Sequence, residues 1–384
     1  MDTDFDIAIC GAGPIGLCLA ALLARHGMAP ARIALIDART LEQAARDPRS
    51  IALSYGSRQI LETVGAWPLA AAPIHQIHVS RRGHFGRALI DRTDYGLPAL
   101  GYVSRYGTLV AALTAAVERA GVTPIRPARI TASHERNDVV QLDLADRDSI
   151  CAPIMVQAEG GVFSDQGACA RHRNYRQIAI VAEVSVSAAL PERAFERFTE
   201  EGPLALLPQN GVPGSDNSYA LVWCMRPESA EQLLRLPEKA FLERLGAAFG
   251  TRLGRFTGST ERHAFPLGLN AQPTASARTV AIGNAAQTLH PVAGQGLNLG
   301  LRDAAVLARL LAPPAKPGVL QHFLQARQAD RSLTIRITDA MARVFASAPD
   351  GALSQILLGL GLGAIDIIDP ARRLLAEQMM FGRR

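Results

Sequence analysis

The chain has 384 residues, 48% of them hydrophobic and 20% charged, a soluble balance with enough apolar mass for a large core shared by two interlocked units and a tail. The net charge of +5 is almost wholly arginine, because lysine stands only at Lys239 and Lys316; the arginines are scattered without interleaved aromatics, which disfavours a nucleic-acid partner. The five cysteines form no CxxC pair and no apolar run reaches the roughly 18–20 residues of a membrane span, so reduced core cysteines in a cytoplasmic protein are expected.

Ile7 to Cys10 reads as a buried strand that opens the chain with no signal peptide before it. Gly11, Gly13 and Gly16 follow with the spacing GxGxxG, and Pro14 to Arg25 is a helical stretch ending at Gly27. A second apolar run, Ile33 to Ile36, ends in Asp37, about 20 residues past the third glycine. A GxGxxG alone is weak. Here strand, glycines, helix, strand and acid arrive in order, the pattern of a dinucleotide site. Gly11 suits the tight turn, Gly13 the approach to a pyrophosphate, Gly16 the helix–strand packing, and Asp37 an unphosphorylated ribose, as in FAD or NAD.

Beyond a loop, Arg49 to Val64 is expected to be helical. Ile74 to Pro98 alternates apolar and polar residues, pointing to strands outside the nucleotide fold. Thr108 to Ala120 is an amphipathic helix ended by Gly121. Three β-like runs follow, Thr123 to Ser133, Val139 to Leu144 and Ile150 to Ala158, the last leading into Glu159-Gly160-Gly161. Arg176 to Ser187, Leu204 to Pro208, Tyr219 to Met225 and Arg262 to Leu267 read as strands of a second, antiparallel sheet. Thr279 to Ile282 is then a short buried strand, Gly283 a sharp turn, and Gly294 and Gly296 points of close backbone approach. Leu297 to Leu311 is apolar at helical spacing, and its N-terminus suits an anionic flavin or a phosphate. Ile356 to Ile368, ILLGLGLGAIDII, is glycine-broken and reads as a buried helix pair rather than an interfacial membrane contact.

Taken together the residues resemble the flavoprotein aromatic hydroxylases related to p-hydroxybenzoate hydroxylase. The resemblance rests on GAGPIG, EGG at Glu159 and GNAAQTLHPVAGQGLNLG at Gly283, in that order. Within that family the chain looks most like the ubiquinone-biosynthesis hydroxylases of 2-polyprenyl-6-methoxyphenol, through RSIALSYGSRQILETVGAW, IHQIHVSRRGHFG, ERFTEEGPLALLP, YALVWC and QARQADRSLTIRITDAMARVFA. The fold implied is α/β: a split Rossmann-like FAD-binding domain (1–73, 99–175 and 268–330), an inserted antiparallel-sheet substrate domain (74–98 and 176–267) and a helical C-terminal region (331–384). The activity implied is monooxygenation of a polyprenyl phenol through a C4a-hydroperoxyflavin, with one FAD, NADPH or NADH as reductant, and O2. Other quinone-biosynthesis proteins are implied as partners, and the site of action as the cytoplasm, peripheral to the inner membrane.

Residue by residue, the resemblance assigns Gly11, Gly13 and Gly16 to the pyrophosphate and Asp37 to the adenosine ribose. Arg49 is assigned to the FAD phosphates or ribityl chain and Arg105 to a further cofactor contact. Gly283 and Asn284 fall where the family's Gly-Asp motif meets the ribityl chain, with Asn in place of Asp. Glu159 and Gly160 replace its Asp-Gly pair, and Pro291, Gly294, Gly296, Leu297 and Asn298 line the isoalloxazine. His290, beside Pro291, is the candidate proton relay, against a plain role in orienting the loop.

Other residues read more blandly. His75, His78 and His84 fit surface or inter-strand positions better than a metal cluster. Trp223 and Tyr219 fit core packing, and Arg58 and Arg302 solvated helix faces. No second GxGxxG exists in strand–helix context, so NAD(P)H has no separate Rossmann domain. A hydroxylase of a soluble aromatic acid and a non-catalytic FAD-bound scaffold are the competing readings. A halogenase is disfavoured, because no lysine stands near the early helices.

Overall fold

The computed structural model describes residues 3–82, 87–159, 173–209, 217–271, 275–288, 294–312, 318–346 and 377–382. The fold is α/β, with a four-stranded parallel sheet, a larger, mainly antiparallel sheet and two three-stranded antiparallel sheets among the described residues. The parallel sheet runs Thr279–Ala281, Met155–Gln157, Ile7–Cys10, Ile33–Ile36. Its register pairs Ile9 with Leu35 and Val156, and Gln157 with Ala281, so segments far apart in sequence lie side by side. Ile7–Cys10 and Ile33–Ile36 are buried at every residue, as a parallel sheet covered on both faces requires. The helices Pro14–Arg25, Tyr106–Arg119 and Gln295–Leu310 bury Leu17, Leu23, Leu109, Leu113, Leu301 and Leu307 in one core with Ile9, Leu35 and Val156. Each such leucine contributes about 1.5–3 kcal/mol relative to exposure.

The larger sheet is built from Gln287–Thr288, His263–Ala271, Arg173–Val186, Ser218–Met225, Pro203–Pro208, Arg193–Phe198, Gln76–Arg81 and Arg87–Asp91, in that spatial order. All its pairings are antiparallel except one: Arg193–Phe198 runs parallel to Gln76–Arg81. Phe256–Ser259 pairs along the end of Arg173–Val186. The helices Pro227–Arg235 and Glu238–Phe249 cover this sheet, burying Leu233, Phe241, Leu245 and Phe249 against Tyr219, Leu221 and Trp223. Tyr219 and Trp223 are thus core residues, and the Tyr219 hydroxyl donates to the Leu190 carbonyl at 2.6 Å. Burial pushes that hydroxyl up to about 12.

The segment expected as one helix from Arg49 to Val64 is a strand followed by a helix. Ser50–Ser54 pairs with Gly101–Arg105, which also pairs with Ala72–Ile74. Ser54 then caps Tyr55–Thr63, its Oγ accepting from the Ser57 N–H at 3.2 Å. Ile150 to Ala158 likewise divides at Pro153, which cannot donate to a ladder. Arg147–Ala152 joins an antiparallel ladder with Val140–Leu144, and Met155–Gln157 enters the parallel sheet. The long helix Val319–Ala346 packs on Gln295–Leu310, and a helical turn at 377–381 returns to the body of the protein. Among the described residues no helix is long and apolar enough to cross a membrane. His84 and Ile356 to Ile368 lie outside the described residues.

Candidate functional site: two glycine turns at adjoining helix starts

The first turn forms because the strand Ile7–Cys10 must hand directly to the helix Pro14–Arg25. Gly11 has φ +104°, and a side chain there would come within 2.8 Å of the Glu159 backbone nitrogen. A Cβ on Gly16 would lie 1.9 Å from the Gly11 carbonyl oxygen, so turn and helix touch without space for even a methyl group. Gly13 is different. The nearest atom to a Cβ there is the Tyr106 hydroxyl at 3.3 Å, so a ligand can approach this backbone. The helix starts with no side-chain cap, leaving its first N–H groups and the positive end of its dipole available to an anion.

Asp37 sits directly beneath this turn. Its Oδ2 accepts from the Ala12 N–H at 2.7 Å, and its Oδ1 from the Arg39 N–H at 2.8 Å. Partial burial and the Asp37 charge hold the Glu159 carboxyl above the ordinary glutamate range. Two carboxylates therefore share the mouth of the turn, an acceptor-rich setting that matches sugar hydroxyls. Gly160 lies outside the described residues.

The second turn repeats the arrangement. Gly283 has φ +60° and Gly294 φ +59°, and the helix Gln295–Leu310 also starts without a side-chain cap. Ile15 binds the two turns together. Its side chain lies 3.1 Å from the Cβ position of Gly283 and 2.6 Å from that of Gly300, so the two helices cross at almost no separation. Asn284 stands beside Gly296, its Oδ1 3.8 Å from that glycine's Cβ position. Leu297 packs against the main core. His290 and Pro291 lie outside the described residues.

Asn298 is buried, and its side chain is engaged with protein on every side. Its Nδ2 donates to the carbonyls of Ala52 and Gly294, and its Oδ1 accepts from the Ser54 N–H at 2.8 Å and the Ser57 Oγ at 2.7 Å. It fixes the helix start against the strand Ser50–Ser54, so any contact it makes with a bound ring runs through its backbone.

Arg49 stands where that strand begins. Its guanidinium pairs with Asp47 at 2.7 Å and lies over the rings of Tyr106 and Phe265, at 5.2 and 5.6 Å. The hydrogen bond to Asp47 raises the Arg49 pKa, so it stays cationic over the Tyr106 ring, whose hydroxyl is the atom nearest the Cβ position of Gly13. Arg105 turns to the larger sheet and reaches Glu183 at 3.2 Å. The residues thus fit an extended dinucleotide. The cradle consists of space in front of Gly13, two uncapped helix starts, a cation and a pair of carboxylates.

Behind the second helix lies an ion network that sequence reasoning missed. Asp303 is wholly buried and pairs with Arg327 at 2.7 Å and Arg331 at 2.8 Å; Asp330 pairs with Arg302 at 3.0 Å and Arg327 at 2.6 Å. Gln287 donates to Asp303 and Gln378 to Asp330. Burial alone would raise the Asp303 pKa, but Arg331 and Arg327 outweigh it and hold the group below its usual range. Arg302, expected on a solvated face, is 8% exposed and belongs to this network. The only sequence signal was a set of charged residues on otherwise apolar helix faces. Arg58, expected on a solvated face, is only 21% exposed at its side chain, paired with Glu62 at 2.5 Å and held among the rings of Tyr55, Trp67 and Tyr102. His75 pairs with Glu192 at 2.7 Å, and His78 is buried beside Phe195 and Arg252. Among the described residues no group of histidine, cysteine and acidic side chains could hold a metal.

Residues 4–334 match the model of the FAD binding domain family. The chain is 33% identical over 395 residues to the ubiquinone hydroxylase UbiL of Rhodospirillum rubrum, covering 98% of this chain and 89% of that one. It is 30% identical over 343 residues to the 3-demethoxyubiquinol 3-hydroxylase of Escherichia coli, covering 85% and 86%. Among solved structures, the p-nitrophenol 4-monooxygenase PnpA of Pseudomonas putida shares the fold with a TM-score of 0.76 at 15% identity, over the whole of both chains.

Proposed function

The chain belongs to the FAD-binding-domain family of flavoprotein hydroxylases, and from that premise we propose that it hydroxylates the aromatic ring of a polyprenyl phenol in ubiquinone synthesis. The substrate class we assign is 2-polyprenyl-6-methoxyphenol, with NADPH or NADH as reductant and O2 as oxidant. The observation that supports this reading is the packing of Ile15, in the first turn of the helix Pro14–Arg25, against Gly283 and Gly300, which brings together two glycine-bearing segments more than 250 residues apart, each leading to a helix without a side-chain cap. Bound FAD supplies the redox chemistry, accepting a hydride and activating oxygen, which side chains alone do not provide.

Gly11, Gly13 and Gly16 bring the first helix start against the pyrophosphate, with Arg49 as the counter-charge and Asp37 and Glu159 as acceptors for the ribose. Gly283 and Asn284 meet the ribityl chain. Gly294, Gly296, Leu297 and Asn298 offer backbone to the isoalloxazine, and the positive end of that helix favours negative charge on the reduced ring. Phe265, stacked on Arg49, supports closure of the seat against water by the larger sheet. His290, beside Pro291, carries the phenolic proton.

The test is direct. FAD-loaded protein is mixed in air with NADPH or NADH and a 2-methoxyphenol bearing a short prenyl chain. A product one oxygen atom heavier, its hydroxyl on the ring, is expected. NAD(P)H consumption yielding only hydrogen peroxide would overturn the assignment.

A further inference from the structure

Gln209 follows the strand Pro203–Pro208 and is completely buried, at 0% exposure. Its Nε2 donates to the Ser50 Oγ at 2.6 Å, and its backbone N–H to the Ser218 carbonyl at 3.2 Å. The carboxamide oxygen, Oε1, has no hydrogen-bond partner among the described residues. A buried amide oxygen is costly without a donor, and packing among the described residues supplies none to Gln209.

The location is informative. Alternate residues of a strand share a face, so the side chains of Ser50 and Ala52 point the same way. Ala52 Cβ lies 3.3 Å from the Cβ position of Gly294, the turn that opens the helix Gln295–Leu310. Ser50, about 7 Å along that face at two residues' separation, holds Gln209. One residue further back, Arg49 meets Phe265 of the larger sheet. Gln209 therefore sits at the seam between the sheet assigned to the substrate and the turn assigned to the flavin ring.

We propose that Gln209 is a specificity-determining residue whose carbonyl oxygen accepts the hydrogen bond of the substrate's neutral phenolic hydroxyl in the oxidised complex, before that proton is removed in turnover. This rests on the aromatic-hydroxylase reading above. A neutral phenol supplies a donor for the buried oxygen, which is the free end of the amide while Nε2 donates to Ser50 Oγ. No contact with FAD is required of it.

The experiment is a binding titration on oxidised, FAD-loaded protein, read by the change in flavin absorbance and without turnover. The probes are a 2-methoxyphenol with a short prenyl chain and its methyl ether, which lacks the donor. Wild-type protein is expected to bind the phenol about tenfold more tightly than the ether, the size of one buried hydrogen bond. Gln209→Met, close in volume, is expected to keep its FAD, lose about that factor for the phenol and bind the ether unchanged. Gln209→Ala is measured alongside, so that a misfolded first variant does not end the test. Equal losses for phenol and ether in either folded variant, or no loss for the phenol, would overturn the assignment. Wild-type protein that binds neither probe would instead overturn the hydroxylase reading, and this proposal with it.

Discussion

Ile15 and Gly300 touch so closely that a Cβ on Gly300 would meet the Ile15 Cδ1 at 2.6 Å. This contact aligns the helix that follows the first glycine turn with the helix that follows the second. Gly300→Val is expected to push the helices apart, costing about 1–3 kcal/mol in chemical denaturation. It should also weaken FAD binding, measured by titration of the apoprotein. Unchanged FAD affinity would show that the two turns do not act as one seat.

The glycines of the first turn are expected to separate by role. Gly16→Ala meets a backbone oxygen at 1.9 Å that cannot move aside, so folding itself should fail or be severely weakened. Gly13→Ala meets only the Tyr106 hydroxyl at 3.3 Å, so the protein should fold normally and lose FAD affinity. Thermal denaturation of apoprotein, set beside FAD titration, distinguishes the two. A Gly13→Ala protein with full affinity would remove that backbone from the pyrophosphate site.

Asp303→Asn should cost about 3–5 kcal/mol, because Arg327 and Arg331 would be left as buried charges short of a partner. Denaturant unfolding measures this. A change below roughly 1 kcal/mol would place the pair in the class of weak surface bridges.

The nucleotide fold was legible in the chain because its signals are local. The strand, the glycine spacing and Asp37 follow one another within a single βαβ stretch, and the structure stacks Ile7–Cys10 beside Ile33–Ile36 accordingly. The larger sheet was legible as alternating runs, but Arg193–Phe198 was not, since RAFERF carries no clear period and is strand through its partners on both sides. Arg49 to Val64 misled because RSIALSYGSRQILETV has helical spacing throughout, while Ser54 works as a cap that divides it. Asn298 read as a ring contact from its motif position, and its hydrogen bonds to Ser54 and Ser57 depend on a strand end and the helix start after it, over 240 residues away. The arginine–aspartate network was hidden for the same reason: burial is a tertiary property, and Arg302 looks like any solvated arginine in the sequence.

His78 links stability to pH. Burial first, and then the charges of Arg252, Arg193 and Arg87, push its imidazole down to about 4. The folded state thus keeps His78 neutral between about pH 6.5 and 4, while the unfolded chain takes up a proton near 6.5. This group's full stability is present above about pH 6.5 and is lost progressively as pH falls towards 4, by about 3 kcal/mol. His78→Gln should flatten that part of the profile in denaturation at pH 7.5 and 5. An unchanged slope would assign the acid sensitivity to other groups.

The most direct measurement is the absorbance spectrum of the purified protein with added FAD, followed by anaerobic addition of NADPH or NADH. One tightly held flavin per chain is expected, with its oxidised bands bleached by the reductant and restored on admitting oxygen. Folded protein that stays colourless and takes up no FAD would contradict the role given to the two glycine turns.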